Sequence, residues 1–276
     1  MKDVNCVAVV GLGLMGGSLA RALAARGVRV IGFDADALTS QRARADGVLG
    51  GIVSADFREL ATAQVIVIAT PVDSVLSLLP SVLQQTKNAL LVMDLASTKR
   101  SIVECAESSG LGERFVGAHP LTGSHLSGWE ASRDDLYTNA EVFLCATQQT
   151  SPDALSLATE FWLNLGARTT MMDATEHDEQ MALRSHLPHV ASCALARTLR
   201  GKGIGRADLG PGGRDVTRLS GSSASLWASI AGDNRIALMQ ALDAFRLELD
   251  AFRAALAGAQ DTEPLFAEST GWFNGE

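Results

Sequence analysis

The run Cys6-Val7-Ala8-Val9-Val10 passes without a break into Gly11-Leu12-Gly13-Leu14-Met15-Gly16, and few short patterns restrict a fold more. A β-branched run that ends in G-x-G-x-x-G and continues as a helical pattern is a strand, a tight turn and a helix N-terminus. Gly11 permits the turn, Gly13 lets a backbone approach a pyrophosphate, and Gly16 lets the helix lie close on the strand. The amides of the helix start, at Leu14 and Met15, are donors for phosphate oxygens. A glycine turn that holds no ligand is the other reading. Asp34 ends the next apolar run about twenty residues on, where a carboxylate accepts hydrogen bonds from ribose hydroxyls and repels a 2′-phosphate. The expected cofactor is therefore NAD. Arg42 and Arg44 keep NADP open as the less favoured choice, and a helix cap is the alternative role for Asp34. Ala69-Thr70-Pro71 leaves a later strand at the carboxyl edge of the same sheet, where the nicotinamide half would lie.

Apolar runs at Cys6–Val10, Arg29–Phe33, Val65–Ala69, Leu90–Asp94, Phe115–Ala118 and Glu141–Ala146 alternate with helical patterns such as Met15–Arg26, Ser74–Leu83 and Lys99–Ser108. That rhythm predicts an α/β fold: an N-terminal Rossmann-type, doubly wound, mostly parallel sheet over residues 1–172. From about Asp173 the strand patterns stop. Two helical stretches, Thr175–Arg200 and Asp233–Leu256, joined by a loop rich in glycine and charge, predict an all-helical C-terminal domain over residues 173–276. Their Ala and Leu positions form a broad apolar stripe at i, i+3 and i+4. Burying it calls for another layer, and a second copy of the chain is the expected source, giving a homodimer through the helical domain. The tail from Gly258 to Glu276 is too polar and glycine-containing to add a domain.

With 276 residues, 47% of them apolar, the chain is long enough for two ordinary domains. Its formal charge of −8 and the lack of a Lys/Arg block argue against nucleic acid or an anionic membrane, since both need a positive surface. A small anionic substrate held by a few local arginines is compatible with that charge. Cys6, Cys105, Cys145 and Cys193 show no C-x-x-C spacing and read as reduced thiols in or near the core. Val7–Val10 reads as a first strand rather than part of a secretory leader. No run of about 18 apolar residues is present, and the expected compartment is the cytoplasm.

Five histidines occur: His119, His125, His177, His186 and His189. His119 follows the Phe115–Ala118 run and precedes Pro120, so its side chain is expected at the carboxyl edge, beside the cofactor crevice. A catalytic base and a strand-ending histidine are both consistent with that position. His186 and His189 lie three apart with Pro188 between them, which predicts a kink toward the cleft. The spacing is also compatible with zinc, but no third ligand has suggestive spacing and no metal is expected. His177, next to Asp178, reads as structural.

Gly117-Ala118-His119-Pro120-Leu121-Thr122-Gly123, with Asp94-Leu95-Ala96-Ser97-Thr98-Lys99 before it and Ser185-His186-Leu187-Pro188-His189 after it, resembles the prephenate/arogenate dehydrogenase family. Asp215-Val216-Thr217-Arg218, with Trp227 nine residues past the arginine, is similar to that family's segment for the substrate carboxylate. The likeness runs from about residue 6 to about residue 250. It implies an oxidative decarboxylation in tyrosine biosynthesis. The ring C4 hydroxyl loses a proton and a hydride, and the C1 carboxylate leaves as carbon dioxide. By this resemblance His119 is the general base, and Ser97 bonds the substrate hydroxyl or the imidazole. For Ser97, an N-cap of the helix near Lys99 is the other role.

The resemblance also assigns a substrate carboxylate to the planar fork of Arg218, against a surface salt bridge as the plain alternative. Asp215 would orient Arg218, and His189 would partner the substrate or Arg218, with His186 nearby. Trp227 either covers the pocket or serves the core. The segment Thr122-Gly123-Ser124-His125 departs from the family's usual Ala-Gly-Thr, and Pro211-Gly212-Gly213-Arg214 lacks an aromatic. Ser124 and His125 belong to the expected substrate side, so the choice between prephenate and arogenate stays open. A β-hydroxyacid dehydrogenase usually relies on a lysine in its helical domain, where this chain has only Lys202. A dinucleotide-binding protein without catalysis would not need His119, Ser97 and Arg218 together.

Overall fold

The computed structural model describes residues 4–86, 88–123, 126–259 and 261–275. Eight strands form one sheet: β1 Cys6–Val10, β2 Arg29–Phe33, β3 Gly51–Ile52, β4 Val65–Ile68, β5 Leu91–Asp94, β6 Phe115–Pro120, β7 Glu141–Ala146 and β8 Arg168–Met171. Their order is β3-β2-β1-β4-β5-β6-β7-β8. All neighbours run parallel except β6 and β7, which pair antiparallel with His119 opposite Phe143. The mostly parallel sheet expected from the sequence is present.

Five helices belong to this sheet: α1 Leu14–Ala24, α2 Ala37–Ala45, α3 Val72–Gln85, α4 Arg100–Ser108 and α5 Pro152–Asn164. One buried apolar cluster joins α1 and α5 to one face through Leu19, Leu23, Phe161 and Trp162. A second joins α3 and α4 to the other through Val75, Leu79, Ile102 and Ala106. Burial on both faces explains why the strands read as unbroken β-branched runs. β3 and β8 escaped the sequence reading. The first has two residues, and β8, Arg-Thr-Thr-Met, is an edge strand with no buried residue.

From Ala174 onward the described chain is helical. It comprises α6 Ala174–Met181, a π-helical turn Ala182–His186, α7 Leu187–Gly201, α8 Pro211–Val216, α9 Ala224–Asp233, α10 Arg235–Ala254 and α11 Glu263–Asn274. The long stretch expected at 175–200 is thus two helices joined by a wide turn. Pro188 stands in the first turn of α7, where a missing N–H is tolerated, and the π turn before it absorbs the change of pitch. The glycine-rich segment before α10 folds further than expected into α8 and α9. The tail adds a helix, α11, with no buried residue.

Candidate active site

The glycine turn has the geometry that its pattern demands. Gly11 has φ +93°, and a Cβ at Gly16 would stand 1.9 Å from the Gly11 carbonyl oxygen, so neither position accepts a side chain without a shift. At Gly13 a Cβ would meet nothing within 4 Å, which leaves open ground above the start of α1 for a phosphate. Tyr137, the only tyrosine, donates to the Met15 carbonyl at 2.7 Å and holds this turn from the far side. Asp34 accepts from Leu12 N–H at 2.7 Å and from Asp36 N–H at 2.9 Å. Asp36, rather than Asp34, caps α2. Asp34 therefore ends β2 beside the glycine turn with acceptor capacity to spare. These features fit a dinucleotide.

A cavity of about 650 Å³ opens along the carboxyl edge. Its sheet-side wall includes Gly13, Leu14, Met15, Ala69, Thr70, Pro71, Ser97 and His119, and α9 supplies Ser225, Leu226, Ser229 and Ile230. Ser97 does not cap α4, because the N-cap position is Lys99 and no side chain near it in sequence serves. The free N–H groups of that helix are satisfied from another element: Asp178 on α6 accepts from Lys99 N–H at 2.8 Å and Arg100 N–H at 3.0 Å. The Ser97 hydroxyl is left on the cavity wall.

Asp178 also ends a chain of imidazoles. His177 Nδ1 lies 2.8 Å from Asp178 Oδ1, and His177 Nε2 lies 2.8 Å from His119 Nδ1. Burial works against the Asp178 carboxylate, but the His177 ring and the Arg100 and Lys99 N–H groups outweigh it and hold its pKa below the usual range. An ionised Asp178 accepts only, so His177 carries its proton on Nδ1 and offers a lone pair at Nε2. His119 must then carry its proton on Nδ1, leaving Nε2 as the free acceptor. Burial, then His177, Lys99 and His186, push the His119 pKa well below its ordinary value. A neutral imidazole with one lone pair unused is able to accept a proton as a general base does.

Lys99 lies under this chain with its ammonium on Asp94, both side chains fully buried. The stem of Lys99 passes β6 at Gly117, where a Cβ would stand 2.9 Å from its Cδ. Asp94 in turn accepts from Ala96 N–H at 2.8 Å, which fixes the strand end that carries Ser97. Burial raises the Asp94 pKa against the opposing pull of the ammonium.

His186, His189, Asp215, Arg218 and Trp227 are not among the residues that line this cavity. His189 stacks on Trp227 at 3.4 Å between centroids and 12° between planes, and His186 meets the same ring edge-on at 5.9 Å. The two histidines are buried behind the indole and do not turn into the cleft as the kink was expected to turn them. His186 Nδ1 faces Asn234 Nδ2 at 3.1 Å, and the same amide donates to the Asp178 carbonyl at 2.7 Å. Arg218 stands in the 3-10 turn Arg218–Gly221, which packs on α7. Its side chain and that of Asp215 are exposed. The Asp215–Arg218 pairing expected from the sequence is not formed among the described residues, and Arg218 makes no salt bridge among them either. Ser124 and His125 lie outside the described residues.

The reading of His177 as structural missed its link to His119, and Asp178 and Asn234 were not singled out. The signal was present in Ala174, His177, Asp178 and Met181, which sit at i, i+3, i+4 and i+7, the buried stripe of α6. A histidine and a carboxylate on such a stripe need partners there.

Residues 19–171 match the model of the prephenate dehydrogenase nucleotide-binding domain, and residues 173–269 match that of the prephenate dehydrogenase dimerization domain. The chain belongs to the prephenate dehydrogenase family. It is 31% identical to prephenate dehydrogenase of Bacillus subtilis over 96% of its own length and 73% of that protein's. Identity to cyclohexadienyl dehydrogenase of Zymomonas mobilis is also 31%, over 94% and 90% of the two chains. Among solved structures, prephenate dehydrogenase from A. aeolicus, in complex with hydroxyphenyl propionate and NAD+, superposes with a TM-score of 0.90. It is 27% identical over 99% of this chain and 98% of that one. The nucleotide-domain match begins inside α1, so the glycine turn itself rests on its own geometry.

Proposed function

We propose that this dehydrogenase carries out the oxidative decarboxylation of prephenate, or of arogenate, to 4-hydroxyphenylpyruvate or tyrosine. The observation that carries the reading is the Asp178–His177–His119 chain, which leaves one imidazole nitrogen free at a cavity on the carboxyl edge. When bound, NAD supplies the hydride acceptor. His119 Nε2 takes the proton of the ring hydroxyl, and Ser97 orients that hydroxyl from the adjoining strand end. The positive charge that His119 gains faces His177 and, through it, the Asp178 carboxylate, so it is stabilised without a proton leaving the chain of rings. Thr70, Ala69 and Pro71 hold the nicotinamide half, and Asp34 the adenosine ribose. Arg218, His189 and Trp227 are assigned to the substrate's carboxylate and side chain, a role that requires the exposed 3-10 turn to swing its guanidinium toward the indole.

Residues 1–172 act as the cofactor half and 173–276 as the substrate half, paired in a homodimer. The four unpaired thiols favour a reducing compartment, the cytoplasm. The test is incubation with prephenate and with arogenate, each with NAD or NADP, followed by the absorbance of the reduced nicotinamide. Turnover with one of the acids and a preference for NAD are expected. His119→Gln should abolish turnover and keep cofactor binding. No turnover with either acid would overturn the reading.

A further inference from the structure

Thr70 Oγ1 and Ser229 Oγ are both closed to solvent and have no hydrogen-bond partner, and both residues are among those that line the cavity. One comes from the end of β4 and the other from α9. A serine within a helix ordinarily falls back on the carbonyl four residues earlier. Thr159, Thr198, Ser269 and Thr270 all do so in this chain; Ser192 and Ser229 have no partner, and of these two only Ser229 lines the cavity. Thr70 is held by its methyl group, which lies 2.8 Å from where a Gly11 Cβ would stand. Its hydroxyl is thereby turned away from the glycine turn. A buried hydroxyl without a protein partner needs one from outside the chain, and at a cavity wall a bound ligand or a water can supply it.

The strand order decides which part of a dinucleotide reaches them. With the pyrophosphate at the end of β1 and the adenosine ribose at Asp34 on β2, the nicotinamide lies on the other side of β1, over β4, β5 and β6. For hydride transfer its C4 must face the His119 side, which leaves the neighbouring carboxamide toward Thr70 and α9. A carboxamide has two N–H donors and one acceptor oxygen, and burial without partners is costly. We propose that Ser229, a residue of the helical half, binds the nicotinamide carboxamide together with Thr70, so that cofactor selectivity is shared between the two halves of the chain. This rests on the NAD-dependent reading above.

Binding titrations of the whole protein with NAD, its acetylpyridine analogue and ADP-ribose test it without turnover. The analogue replaces the amide nitrogen with a methyl group, and ADP-ribose has no nicotinamide. Ser229→Ala is expected to weaken NAD about tenfold, to narrow the preference for NAD over the analogue, and to leave ADP-ribose unchanged. Thr70→Val should behave alike. Unchanged NAD affinity in Ser229→Ala, or an equal loss for ADP-ribose, would overturn the proposal and leave the dehydrogenase reading standing. Failure of the wild-type chain to bind NAD would overturn both.

Discussion

Asp178 touches neither the cavity nor His119, yet it fixes which nitrogen of His119 carries a proton. In Asp178→Asn the amide nitrogen only donates, so it must face either the His177 ring, which releases the tautomers of both imidazoles, or an amide at the start of α4, which loosens that cap. The expected loss in kcat is on the order of 10²–10⁴, with NAD affinity little changed. A loss in kcat no larger than the accompanying loss in stability would deny the carboxylate this role. The same chain sets a pH dependence. If His119 is the base, as proposed, its neutral form is the active one, and activity should fall as pH falls through its pKa in the folded protein. Burial, with His177 and Lys99, pushes that pKa well below its usual value. The kcat/KM profile should therefore stay level through about pH 6.5, the ordinary histidine value, and bend only at lower pH. Residues that act by spacing were legible beforehand: Gly11, Gly13, Gly16, Asp34, and His119 at a strand end. Residues that act through a neighbour were not. Nothing in one dimension places Asp178 against the first turn of α4, or Asn234 against both Asp178 and His186.

Among the elements, the glycine turn offers a matched pair of substitutions. A methyl group at Gly16 would meet the Gly11 carbonyl at 1.9 Å, whereas at Gly13 it would meet nothing within 4 Å. Gly16→Ala is expected to lower stability by about 1–3 kcal/mol, as overpacking does, and to weaken the cofactor. Gly13→Ala should weaken the cofactor alone, because its methyl group occupies only the ground where the phosphates approach. Urea unfolding and NAD titration of both variants would separate the effects. Equal stability in the two would contradict the close helix-on-strand packing. The central strands and their helices were readable because they are buried on both faces. The edge strand β8, half of whose residues are threonine, and the short α8 in a Pro-Gly-Gly segment lack that periodic signal. Their structure is imposed by the neighbours they pair with or pack on. α9 matters most among these missed elements, because it brings Ser225 and Ser229 to a cavity whose opposite walls come from the N-terminal half of the chain.

At the scale of the whole molecule, two surplus quantities point to conditions under which the fold weakens or is completed. The first is four buried histidines, His119, His177, His186 and His189, whose pKa values are all lowered, chiefly by burial. For His186 the value is about 4. Above about pH 6.5 the ring is neutral in both folded and unfolded chains. Below that, the unfolded chain takes up a proton that the folded one refuses, so stability falls with pH until the folded value is reached. His186 alone should account for about 2 kcal/mol between pH 7 and pH 5, and His186→Asn should flatten the slope by that amount in urea titrations. The second is surface. The chain exposes 14620 Å², whereas a folded monomer of this mass exposes about 11,000 Å². Part of the exposed apolar surface lies on α10, which buries Leu238 and Ala241 on one side and exposes Ile236, Met239 and Leu247 to more than 60% on the other. A helix that is apolar on opposite sides belongs between two layers, and in the proposed homodimer a second copy would supply the missing one. Light scattering should give twice the chain mass for the wild type. Ile236→Glu with Met239→Glu places two charges where that layer would pack, and the expected result is a species of single chain mass with a lower Tm. A double variant that keeps the wild-type mass would show that α10 meets its partner elsewhere, and a wild type of single mass would leave the stripe without the layer that it calls for.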